Sequence, residues 1–124
     1  MIPSSKLKKA MRDIGAKKGP FVFFALLQRA NAVGGDWDLV VSAPWLEEYD
    51  LKGLRQFTKL LAKSIGEKSL VQLARIAVLP PTDPALREIV SRMALDEGEV
   101  RVERRTLFGQ EIDDGIIFRA KRAA

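Results

Sequence analysis

The sequence contains no cysteine and no histidine. Without cysteine there are no disulfides, no thiolate nucleophile, no zinc–cysteine site and no iron–sulfur cluster. That fits a reducing cytoplasm. Without histidine there is no Ser-His-Asp triad, no histidine general base and no histidine-ligated metal. Any catalysis would have to use Asp, Glu, Lys, Tyr, Ser or Arg. Any metal would be a hard, oxygen-bound ion such as Mg²⁺ or Ca²⁺. Nothing in the sequence asks for a cofactor. Long apolar runs are also missing: the longest, FVFFALL at 21–27, is far too short to span a bilayer. The first residues carry charge but no apolar h-region, which argues against a secretory signal. The alanine-ended C-terminus carries no recognisable address.

What is present suits one soluble domain covering 1–124. The length of 124 residues, a hydrophobic fraction of 47% and a charged fraction of 30% are ordinary for a globular chain. Such a chain can bury a core without staples. The formal net charge of +5 is uneven. Residues 1–20 hold Lys6, Lys8, Lys9, Arg12, Lys17 and Lys18 against Asp13 alone, and the rest of the chain is balanced. The excess is therefore a basic arm at 1–19. Leu7, Met11 and Ile14 recur at spacings of four and three, so the arm forms an amphipathic helix, capped by Ser4 or Ser5. Basic arms bind nucleic-acid phosphates or anionic membranes. The plain alternative is a solvated helix docked through its three apolar residues. The arm has no aromatic residue on which single-stranded bases could stack.

Gly19-Pro20 ends this helix. FVFFALLQR (21–29) is apolar on both alternating faces and reads as a central strand covered on both sides. ANAVGGD (30–36) is a loop, and WDLVVSA (37–43) a second strand, antiparallel to the first. Asp50 caps a helix striped by Leu51, Leu54, Phe57, Leu60, Leu61 and Ile65. Gly66 stops it, EKSLVQLAR (67–75) makes a short second helix, and IAVL (76–79) a third strand. Asp83-Pro84 starts another helix, with a capping carboxylate followed by proline at the first helical position. EVRVERRTLF (99–108) and IIFRA (116–120) are the last strands, with the turn either near Phe108-Gly109 or at Asp113-Asp114-Gly115. The order α-β-β-α(α)-β-α-β-β predicts an α/β or α+β fold. Its mixed sheet has about five strands covered by helices, with strands two and three parallel through a right-handed crossover.

Three constellations invite a functional reading. Asp36 and Asp38 in GGDWDLVV stand at alternate strand positions, the local spacing with which nucleotidyltransferases hold a metal. The Gly-Ser turn and helix that such enzymes place upstream are replaced by FVFFALLQRA, and IAVL offers no third carboxylate. A structural reading makes Asp36 part of the turn and sets Asp38 at a strand start, bonded to a backbone N–H or an arginine. The second constellation is PWLEEYD and PPTDP, which follow parallel strands and share one sheet edge, where ligand crevices form. Trp45, Glu47, Glu48, Tyr49, Thr82 and Asp83 would rim that mouth, the aromatics as interface anchors. Alternatively Trp45 plugs the core, Glu47 and Glu48 are solvated, and Asp83 only caps a helix. The third is a basic cluster of Arg101, Arg104, Arg105, Arg119, Lys121 and Arg122. It could meet a nucleic-acid backbone, or form a wet sheet face with ion pairs of little worth.

WDLVVSAPWLE, the leucine-striped helix, LARIAVLPPTDP and the FGQEI turn together resemble a group of small uncharacterised bacterial proteins. The similarity covers about residues 20–120. It implies a bacterial, cytoplasmic, single-domain protein and transfers no site residue.

These features rank three functions. First comes a non-catalytic protein-interaction or assembly module, presenting the Trp45–Tyr49 loop or a strand edge to a protein partner or a second copy, as in a homo-oligomer. Next is nucleic-acid binding through Lys6, Lys8, Lys9, Arg12, Lys17 and Lys18, aided by Arg101 and Arg105. Last is a Mg²⁺-dependent nucleotidyltransferase-like enzyme using Asp36 and Asp38.

Overall fold

A computed structural model describes residues 2–30, 37–47 and 49–122. The NAVGG stretch, Asp36 and Glu48 lie outside the described residues. The elements run α1 (Ser4–Lys18), β1 (Phe23–Arg29), β2 (Trp37–Ser42), α2 (Leu51–Ile65), α3 (Glu67–Leu70), β3 (Leu73–Val78), α4 (Pro84–Met93), β4 (Val100–Leu107) and β5 (Gln110–Ala120). They build a mixed α+β domain around one five-stranded sheet of order β3-β2-β1-β5-β4. β2 and β3 are parallel, and every other neighbouring pair is antiparallel. No described helix is long and apolar enough to cross a membrane.

The all-apolar FFALL run of β1 occupies the centre of the sheet, as expected of a strand buried on both faces. Alternation divides its side chains. Phe24 and Leu26, with Leu39 and Val41 of β2, point to one face, where α1 and α2 cover them with Leu7, Met11, Ile14, Phe57, Leu61 and Ile65. Phe23, Ala25 and Leu27, with Val40, point to the other, where only α4 lies, contributing Leu86 and Val90. The result is three layers, two helices on one side and one on the other.

Side-chain caps start two of the four helices. Asp50 Oδ1 accepts from Gly53 N–H at 3.1 Å, and Asp83 Oδ1 accepts from Leu86 N–H at 3.0 Å, with Pro84 at the first position. Each cap contributes about 1 kcal/mol. α1 departs from expectation: Pro3 stands at its N-cap, and neither Ser4 nor Ser5 caps it with a side chain. Its docking fixes the helix instead, with Leu7, Ala10, Met11 and Ile14 all buried.

Two further expectations are corrected. The helix after Gly66 ends at Leu70, and β3 begins at Leu73, because Leu73 and Arg75 pair with Trp37 and Asp38 of β2. Neighbouring-strand hydrogen bonds override the helical pattern there. The last strand is also longer than IIFRA. The chain turns at Phe108-Gly109, both with positive φ, and β5 runs from Gln110 straight through DDG. Gly115 belongs in that strand for lack of room. A Cβ would stand 2.8 Å from the Leu26 carbonyl oxygen and 2.7 Å from Leu27 Cδ2.

Candidate functional site

Asp38 is the one carboxylate buried among the described residues, with its side chain 3% exposed. β2 aims it to the α4 side of the sheet, where neighbouring strands bring two arginines to it. Arg29, at the end of β1, sets Nε 2.8 Å from Asp38 Oδ2. Arg75, on β3, sets Nε 3.1 Å from the same oxygen and donates from Nη2 to Gln110 Oε1 at 2.9 Å. Oδ1 of Asp38 is buried with no hydrogen-bond partner. Burying a charge is costly unless it is paired, so two half-exposed guanidiniums on one oxygen make this placement tolerable.

The cluster closes one end of a groove of about 380 Å³. Leu27, Val40, Ala77, Phe108 and Ile112 supply its apolar wall, and Asp38, Arg75 and Gln110 its polar end. The arginine contact for Asp38 follows the structural reading of its sequence position. Asp38 faces two cations, and Asp36, the other carboxylate of the expected metal pair, lies outside the described residues. No group of three or more potential metal ligands occurs among the described residues.

Trp45 is half-buried. Its indole N–H donates to Gly19 O at 2.8 Å, and its ring lies edge-on to Phe21 and Phe57 at 5.2 and 6.3 Å. It fills the corner between α1, α2 and the sheet. Tyr49, by contrast, is 90% exposed, and Glu47 is exposed. Asp83 uses its carboxylate on the helix cap, and Thr82 beside it is exposed. Of the mouth expected at Trp45–Tyr49 and Pro80–Asp83, only Tyr49 offers a large exposed apolar surface. Leu51 and Val71 share that property, and all three lie between residues 49 and 71, in the crossover from β2 to β3.

The arm is docked helix. Lys8 pairs with Glu99 at 3.4 Å, Lys9 with Asp13 at 3.0 Å and Arg12 with Glu97 at 3.3 Å, while Lys18 donates to Gln56. Lys6 and Lys17 are exposed and make no ion pair among the described residues. In the C-terminal cluster Arg101 pairs with Asp114 at 3.2 Å, while Arg104 and Arg105 are exposed on β4. Arg119 turns the other way, donating to Phe21 O and to Asp96, which also lies 3.6 Å from Lys121. The Arg119 hydrogen bond, reinforced by the Lys121 charge, holds the Asp96 carboxyl below the usual carboxylate range.

The sequence points to Asp38 but not to Arg29, Arg75, Gln110 or Phe108. Arg75 was hidden inside an apparent helix, and only the β2–β3 register sets it opposite Asp38. No protein-family model, curated protein or solved structure matches the chain.

Proposed function

We propose that the protein is a non-catalytic assembly module that joins a second copy of itself through the outer edge of β3. The observation that carries this reading is the difference between the two sheet edges. β4 is guarded: Arg101, Glu103, Arg104 and Arg105 are exposed along it, and Arg104 adopts a left-handed φ of 46° within it. Charges and kinks of this kind deter strand pairing. β3 has neither lysine nor proline, and Arg75 is its single charge.

The regular part of β3 follows a bulge at Ala74, between the Trp37–Leu73 and Asp38–Arg75 pairs. Leu79 N–H donates to Val41 O at 2.9 Å, so alternation turns the backbone groups of Ile76 and Val78 away from β2. An antiparallel pairing centred on Ile76 would set Ile76 against its own copy and Arg75 against the second copy's Ala77. Such a two-fold contact is self-complementary and opposes no like charges. Leu54 borders the same groove as Ile76 and Val78, and Leu51 lies one helical turn before it. Val71 stands two residues before β3 and is exposed. These side chains add apolar area to a short strand contact. The bacterial, cytoplasmic setting belongs to this proposal on the sequence resemblance alone.

The nucleic-acid reading draws less support, since half of the arm's cations are ion-paired and the helix itself is part of the core.

Sedimentation velocity across a concentration series tests the module. Dimers are expected in the micromolar range. A lysine introduced by Ala77→Lys would face the second copy's Arg75 and weaken association at least tenfold. Ala77→Glu, of similar bulk, would retain or tighten it. A wild-type chain that stays monomeric at several hundred micromolar, or equal effects of the two substitutions, would defeat the reading.

A further inference from the structure

The groove beneath Asp38 carries a second inference, about a small ligand rather than a second copy, although Arg75 and Ala77 belong to both. Its polar end holds the Arg75 guanidinium and the Asp38 carboxylate, and the Arg29 guanidinium reaches the same carboxylate from β1 outside the groove lining. Asp38 accepts from Arg75 Nε, with Arg29 as an ion-pair neighbour, and leaves the far side of the Arg75 guanidinium directed away from it. Gln110 Oε1 accepts from Arg75 Nη2, which assigns the Gln110 amide nitrogen as a further donor beside it. Two adjacent N–H donors with an excess positive charge suit a carboxylate, which accepts through two oxygens in one plane.

The rest of the groove is apolar. Leu27, Val40 and Ala77 form its floor on three strands, and Phe108 stands at its side, held edge-on against Phe23 at 5.6 Å. The volume of about 380 Å³ falls in the lower part of the range for small-molecule sites, which are mostly apolar with a few convergent polar groups. An inorganic anion would leave this wall unused, and a neutral hydrocarbon would leave the donors unused.

We infer that the groove binds a small organic monocarboxylate, with its acid group on Arg75 and Gln110 and its apolar body along Leu27, Val40, Ala77 and Phe108. Asp38 is a positioning residue that fixes the Arg75 guanidinium from behind. Its Oδ2 accepts the Arg75 Nε hydrogen bond at 3.1 Å, while Oδ1 is buried without a hydrogen-bond partner among the described residues.

The test is calorimetric titration of the full chain with hexanoate and, as the neutral match, hexanamide. Hexanoate should bind in the millimolar range or tighter, and hexanamide at least tenfold more weakly. Arg75→Gln should abolish the preference for the acid. If that variant unfolds, Gln110→Leu in the exposed turn serves instead and should weaken hexanoate severalfold. Binding of acid and amide with equal affinity, no heat from hexanoate at ten millimolar, or an unchanged preference in a folded Arg75→Gln or Gln110→Leu protein would each overturn the assignment. Sedimentation of the same samples reads self-pairing separately, so either proposal can fail without the other.

Discussion

The two faces of the sheet are built on different terms. Under α1 and α2 lies a continuous apolar layer in which Phe21, Phe24, Trp45, Phe57 and Phe118 meet edge-to-face at 5.0–6.3 Å. On the other face a single ten-residue helix covers a sheet of five strands, and an open groove of about 400 Å³ runs between it and β4. The difference teaches where each property resides. Side chains that hold the fold lie on the two-helix face. The buried carboxylate and the apolar wall of Leu27, Val40 and Ala77 lie on the other. One β2 alternation separates them: Leu39 and Val41 serve the first face, Asp38 and Val40 the second.

Truncation breaks this comparison most directly. Phe57→Ala removes the ring that α2 sets against Phe21 and Trp45, and should destabilise by about 3–5 kcal/mol. Leu86→Ala, equally buried under α4, should cost about 2–3 kcal/mol, because the flanking groove lets that face collapse around the gap. Urea unfolding of both variants checks the order, and a reversed order would deny that the faces differ.

A smaller effect is expected where the sheet itself is tight. Gly115→Ala forces a methyl group against the Leu26 carbonyl and should cost about 1–3 kcal/mol by overpacking. Chemical denaturation should show the loss with an unchanged m-value. A neutral result would mean that β1 and β5 are free to part.

The smallest effect concerns the rim of the two-helix face, where Arg119 ties Asp96 to the start of β1. Asp96 has its native pKa lowered, so its contribution is complete above the pKa of an unfolded carboxylate. It disappears as pH falls through the native value. Asp96 is fully exposed to solvent screening, and the gain is accordingly modest. The side-chain carboxyl carbon should titrate below its ordinary range by NMR. Arg119→Gln should return it there.

Much of this fold is legible in the chain because the relevant signals are local. Asp50 and Asp83-Pro84 mark helix starts by side-chain chemistry that needs no tertiary partner. The doubly apolar FFALL announces a central strand. The β2–α2–β3 crossover makes the parallel pairing a consequence of chain handedness. What escaped depends on neighbours distant in sequence. Leu73–Arg75 looked helical until β2 claimed it, and Asp113-Asp114-Gly115 looked like a turn because the approach of Leu26 that requires the glycine is invisible in one dimension. The candidate site escaped in the same way. Asp38 stood out, but its partners arrive from β1, β3 and the β4–β5 turn, and only the sheet register assembles them.

The position of β1 also governs the order of events during synthesis. Phe23 near the beginning of the chain pairs with Ala120 near its end, so the central strand waits for the last one. The β1–β2–β3 half can form as it leaves the ribosome, but until then it exposes the FFALL margin that β5 will cover. From Val78 to Ala120, at about 5–20 residues per second, that interval lasts roughly 2–8 s. A nascent chain in this state is a partly built sheet with its most adhesive border open, and crowded polysomes are where it would meet its own copies first.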